Sequence, residues 1–106
     1  MQHIINRLVK FRNARDWEQF HNSKDLALAL SIEAAELNEL FLWKKAEEVD
    51  EQKLKEELAD VFAYALLLAD KHQLDVEQII LEKIKKNEQN YPVDKSKGTA
   101  KKYNEL

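Results

Sequence analysis

Two acidic pairs, Glu33-x-x-Glu36 and Glu57-x-x-Asp60, fall inside stretches with helical apolar periodicity. Residues at i and i+3 leave a helix from one side, with Cβ atoms roughly 5–6 Å apart. Carboxylates directed at a core need compensation, because burying a bare charge is very costly. Two such pairs on neighbouring helices gather four carboxylates, which repel one another unless a cation lies between them. All the donors are oxygen. Zinc favours Cys and His, and the chain has no Cys. Di-iron bundles use Glu-x-x-His pairs, and neither acidic pair contains His. Magnesium, with manganese able to take its place, is the expected ion. Through it the pairs point to phosphate chemistry. There is no Walker-type glycine loop, so side chains must hold the phosphates.

The elements that carry these residues follow from periodicity, at about 100° of rotation per residue. A second helix places Leu26, Leu30, Leu37 and Leu40 on one stripe. Glu33 falls inside that stripe, Glu36 on its shoulder, and Trp43 continues the line. A third helix aligns Leu54, Leu58, Val61, Ala65 and Leu68, with Glu57 and Asp60 at the edge and Tyr64 on their side. A fourth begins a stripe with Val76 and Ile80 that continues through Lys83 and Asn87. A cation and an amide thus take core-facing positions. Lys83 can offset the acids or hold a phosphate. Asn87 can donate to a phosphate oxygen or accept from a sugar hydroxyl.

Each feature has a plainer explanation. Glu-x-x-Glu is common on solvated faces, and Lys53 suits an i,i+4 pattern with Glu57. Lys83 can snorkel from a core rim. Trp17 and Trp43 can anchor a core or an interface, and His21 can cap or pack. These explanations must all hold together for the pattern to be accidental.

The boundaries have their own signals. The first helix is expected over 2–15, with Ile4, Leu8 and Phe11 on one stripe, followed by an aromatic turn at 16–21. Asn22 or Ser23 can cap the second helix, which is expected to run to Lys45. Asp50 can cap the third, to His72. Asp75 can cap the fourth with Gln78 in a capping box, ending near Asn90 because Tyr91 precedes Pro92. Residues 61–69 are apolar on every side, and a helix of that kind must be surrounded. We therefore expect a homo-oligomer with the third helix at its interface.

Composition bounds the rest. With 106 residues, one domain is the default. One Gly and one Pro argue against hairpins. A net charge of -3 gives no sign of a nucleic-acid polymer as partner. No apolar run is long enough to span a bilayer and no signal-peptide pattern opens the chain, so a cytoplasmic location is expected. The lysines at 95, 97, 101 and 102 make the end of the chain basic. The expected division is a helical domain over 1–92 and a basic tail over 93–106.

The acidic spacing, the segments Arg15-Asp16-Trp17-Glu18-Gln19-Phe20-His21 and Leu40-Phe41-Leu42-Trp43, and the ending Lys83…Asn87…Tyr91-Pro92 resemble the all-α nucleoside triphosphate pyrophosphohydrolases of the MazG-like superfamily, closest to the dCTP pyrophosphatase branch. The resemblance covers nearly the whole chain. It implies a four-helix, antiparallel bundle-like fold and magnesium-dependent conversion of a nucleoside triphosphate to monophosphate and pyrophosphate. Nucleotide-pool housecleaning is the implied role, with dCTP or a modified cytosine nucleotide as the preferred substrate. It further implies that Glu33, Glu36, Glu57 and Asp60 hold the metal. Lys83 and Asn87 would contact phosphates, while Trp17, His21, Trp43 and Tyr64 would surround base and sugar. A homodimer or homotetramer is implied as well. Ile32 stands where many classical members of the superfamily carry a second Glu, which favours the dCTP-like branch. The competing expectation is a non-enzymatic helical oligomerisation or antitoxin-like module with a solvated acidic face.

Overall fold

The computed structural model describes residues 1–106 and is built of helices and turns alone. Four long helices span Gln2–Ala14 (α1), Ser23–Glu39 (α2), Glu51–Lys71 (α3) and Val76–Asn90 (α4), and a single turn spans Val93–Ser96 (α5). The all-α expectation holds. Polar side chains start three of the helices, each satisfying amides that the first turn leaves free. Asn22 Oδ1 accepts from the Asp25 amide at 2.9 Å. Asp50 Oδ1 accepts from the amides of Gln52 at 2.9 Å and Lys53 at 3.3 Å. Asp75 Oδ1 accepts from the Gln78 amide at 3.0 Å. The expected capping box is only half formed, because the Gln78 side chain reaches forward to Glu82 at 3.0 Å.

The chain divides into two compact units, residues 1–74 and 75–106. In the first, α2 packs along α3, and α1 lies against α3. The Ser23 hydroxyl meets His72 Nε2 at 2.8 Å. This contact joins the start of α2 to the end of α3, so the two helices are antiparallel. The core is Ile5, Leu26, Leu66, Leu67 and Ala69. The second half of α3, residues 64–69, is buried or half-buried on every side, as its all-round apolar character requires. The middle of the helix leaves Phe62 58% exposed. No helix is long and apolar enough to cross a membrane.

Three helices depart from the periodic reading. On α1 the inward line is Ile5, Leu8, Val9 and Arg12, whereas Ile4 and Phe11 are exposed. The stripe is rotated by one residue because α3 takes up Ile5 and leaves Ile4 at the edge. Helix α2 stops at Glu39, not Lys45. Leu40, Phe41 and Leu42 each donate to the carbonyl three residues back, at 3.0–3.2 Å. Such tightened bonds end an α-helix. Trp43 then takes a left-handed φ of 62° and leaves the helical line.

In the second unit, α4 ends where the Tyr91 amide bonds the Asn87 carbonyl at 2.7 Å, just before Pro92. Tyr91 and Tyr103 meet edge to face at 6.2 Å between centroids and fix the end of the chain within this unit. Lys83 and Asn87 are exposed, not directed into a core, and α4 has no buried residue. Thirty-two residues with a single long helix give no second apolar layer within the unit itself.

Candidate metal centre

Helix α2 contributes Glu33 and Glu36, and α3 contributes Glu57. One carboxylate oxygen from each lies within 4.8 Å of the others. Antiparallel pairing brings the middle of α2 to the first half of α3, and that sets the juxtaposition. Glu33 and Glu57 are half-buried, and Glu36 opens to solvent. Glu33 Oε2 and Glu57 Oε2 are closed to water and have no hydrogen-bond partner. An unsatisfied buried acceptor costs about 1–3 kcal/mol, and more when charged.

The electrostatics are one-signed. Burial first, and then the Glu36 carboxylate beside it with Asp60 and Glu57 beyond, pushes Glu33 up to about 7. Burial likewise raises Glu57, reinforced by Glu36, Asp60 and Glu56. No positive side chain offsets either of them. The chain's one ion pair joins Lys55 to Glu51 at 3.9 Å, away from the group. Oxygen donors, two of them sealed and unpaired, suit a hard divalent cation and no soft one.

Asp60 stands apart from this triplet. It borders a cavity of about 620 Å³ on the α1 side, lined also by Met1, Ile4, Leu8, Phe62 and Leu66. Three residues along a helix bring a side chain back to within roughly 60° of the first, so Asp60 keeps to Glu57's side of α3 while also bordering the groove beside α1. Its charge still reaches Glu33 and Glu57.

The aromatic candidates separate. Tyr64 and His21 meet edge to face, with centroids 6.4 Å apart. Burial and the charges of Glu33, Asp60 and Glu36 raise the Tyr64 hydroxyl, so it stays protonated and able to donate. Burial, Arg12 and Lys71 lower the His21 imidazole, so it is neutral at pH 7, and its Nδ1 is sealed without a partner. Trp17 packs edge to face on Phe11 at 5.7 Å. Trp43 is 94% exposed. Lys83 and Asn87 belong to α4 in the second unit. The buried Arg12 is the one charged residue that the sequence reading passes over. Its signal was the i, i+3, i+4, i+7 line that it completes with Ile5, Leu8 and Val9.

Known proteins share this frame. The profile described as the MazG-like family matches residues 28–106, which include all four acids. The dCTP pyrophosphatase 1 of Mus musculus is 43% identical over 96% of this chain. That of Homo sapiens is 40% identical over 96% of this chain. The chain spans 65% of the length of each. Among solved structures, a pyrophosphatase from Archaeoglobus fulgidus DSM 4304 superposes with a TM-score of 0.82 at 36% identity, over 87% of this chain and 92% of that one. The profile takes in most of the chain, and the shared helical frame extends over nearly all of a solved pyrophosphatase. On both grounds, the chain belongs to the MazG-like family.

Proposed function

We propose that the chain is a divalent-metal-dependent nucleoside triphosphate pyrophosphohydrolase. Water adds to a phosphorus of the triphosphate, an anhydride P–O bond breaks, and monophosphate and pyrophosphate leave. The observation that carries this reading is the pair of sealed, unpaired carboxylate oxygens on Glu33 and Glu57 within a three-acid group. The activities named for the mouse and human relatives and for the archaeal structure support it.

Glu33, Glu36 and Glu57 hold the ion, with Asp60 adding charge from the side of α1. Magnesium is the favoured ion and manganese the substitute. Once bound, it neutralises phosphate oxygens and acidifies water beside them. A carboxylate not engaged with the ion takes up the proton that the water loses. The Tyr64 hydroxyl donates to the sugar or base, and neutral His21 presents an uncharged ring to the base. Trp17 and Trp43 add stacking surface. The preferred substrate is dCTP or a modified cytosine nucleotide, and nucleotide-pool housecleaning in the cytoplasm is the role. Residues 1–92 form the catalytic domain and 93–106 a basic tail. The chain assembles as a homodimer or homotetramer through the middle of α3, where Phe62 and its groove are uncovered.

A panel of canonical and modified nucleoside triphosphates, read by pyrophosphate release with and without magnesium, tests the reading. Release from at least one substrate, lost in EDTA, is expected. A protein that hydrolyses none of them, and whose melting temperature ignores magnesium and nucleotide at millimolar concentration, is not this enzyme.

A further inference from the structure

Helix α1 ends in a double closure. The Trp17 amide donates to the Arg12 carbonyl at 3.1 Å, and the Asp16 amide donates to the Asn13 carbonyl at 3.0 Å. Asp16 holds a left-handed φ of 56° beside them. These are the two bonds of the Schellman motif, in which the residue after the left-handed one turns back onto its helix. Glycine commonly takes the left-handed place, because it carries no Cβ. The aspartate found here is tied down by Gln19. Its Nε2 donates to the Asp16 carbonyl at 2.9 Å and to Asp16 Oδ2 at 3.1 Å.

The closure brings Trp17 back to Phe11. The two rings meet edge to face, with centroids 5.7 Å apart and planes at 75°. An apolar contact at this place often accompanies the motif. Arg15 adds a tie that the motif does not need. Its guanidinium lies over the Phe11 ring, 3.7 Å from the centroid, and its Nη1 donates to the Phe11 carbonyl at 3.0 Å. A cation over a ring face is attracted to it. Even so, Phe11 is 49% exposed and Trp17 44%. The indole is thus held in place while much of its surface stays open. Trp17 also begins the connection to α2. One turn of 3₁₀ helix, Glu18–Phe20, follows it, and the His21 amide closes that turn on the Glu18 carbonyl at 3.0 Å. His21 then meets Tyr64 of α3, with centroids 6.4 Å apart. A short hydrogen-bonded segment therefore joins the held indole to a ring one helical turn beyond Asp60.

We propose that Phe11 and Arg15 are positioning residues for nucleobase binding: they fix the Trp17 indole in the orientation that stacks on the base. The base as ligand rests on the function proposed above. The fixing of the indole rests on the geometry of the α1 cap alone. Both residues act through Trp17 and leave the ligand to it. A stacking surface that is set before binding loses less freedom when the base arrives. Loosening it should therefore weaken substrate binding and spare the chemical step.

The test joins steady-state kinetics to fluorine NMR of protein labelled with fluorotryptophan. The chain has two tryptophans, and W17F identifies the Trp17 signal. That signal should move in R15Q and in F11L, while the Trp43 signal keeps its place. With the best substrate of the panel, R15Q should raise KM about threefold at unchanged kcat. F11L should raise it by up to about tenfold. R15K keeps a charge over the ring and should fall between wild type and R15Q. In W17A the same substitutions should add nothing to KM, because no indole is left to position. Should F11L fail to fold, R15Q decides, because Arg15 is exposed. A Trp17 signal indifferent to R15Q overturns the proposal, and so does a further rise in KM when R15Q is added to W17A. If the protein hydrolyses no substrate, the enzymatic reading fails by itself and titration with a nucleoside decides the platform. A Trp17 shift that weakens in R15Q keeps it, and the absence of any shift overturns it.

Discussion

Glu33 on α2 and Glu57 on α3 each turn Oε2 into a space shut off from water, and neither oxygen meets a donor. Both carboxyls are held above their ordinary range, Glu33 at about 7. A raised value means that the folded chain keeps a proton which the unfolded chain releases. The resulting stability is complete below the ordinary value of 4.5 and is lost as pH rises through about 7. The metal-free protein should therefore melt at a lower temperature at pH ~8 than at pH ~5.5. Magnesium should flatten that dependence and expel protons on binding. Scanning calorimetry in EDTA and in magnesium reads both. A metal-free melting temperature that climbs with pH across this window contradicts the arrangement.

Glu33→Gln removes one charge from the crowded group and keeps its volume. In EDTA at pH ~8 the variant should melt a few degrees above wild type, a shift that about 1 kcal/mol produces in a chain of this size. Turnover should fall by about a hundredfold or more, since even outer partners of a metal ligand cost 10–100-fold. Opposite signs for stability and activity distinguish a functional group from a structural one. A variant that loses both has merely been damaged.

Tyr64→Phe deletes a hydroxyl that burial and three acids keep protonated. The ring and its contact with His21 remain. We expect KM to rise several-fold, the scale of one hydrogen bond, with the melting temperature held within a degree or two. Steady-state kinetics with the best substrate of the panel measures it. An unchanged KM removes Tyr64 from the nucleotide's surroundings.

Much of this frame was legible in the chain. Asn22, Asp50 and Asp75 announce the starts of α2, α3 and α4, because a short polar side chain satisfies free amides wherever it stands. Pro92 announces the end of α4 by local sterics. Less local features were harder. The end of α2 is invisible, since Leu40, Phe41 and Trp43 extend its apolar rhythm and no Gly or Pro interrupts it. What ends the helix is a tightened turn closing on a left-handed tryptophan. Spacing puts Glu57 and Asp60 on one side of α3, but it does not show that Glu57 joins the triplet with α2 while Asp60 borders the groove beside α1. Arg12 reads as an ordinary basic residue closing an amphipathic helix. Only the packing of α1 on α3 makes it an enclosed charge.

Leu26 is 1% exposed and is the single large side chain fully enclosed by its neighbours. Leu26→Ala should cost about 2–5 kcal/mol, a large part of the 5–15 kcal/mol that holds a typical domain together. Chemical denaturation should show a lower midpoint with little change in slope. A loss below about 1 kcal/mol would place the stabilising contacts outside this core.

So sparse an interior has a further consequence, because Phe62, Ile4 and Met1 remain uncovered beside it. The assembly proposed through these residues would make the protein's own concentration a thermodynamic variable. Dilution should then behave as a mild denaturant, and the melting curve should move with the amount of protein in the cuvette.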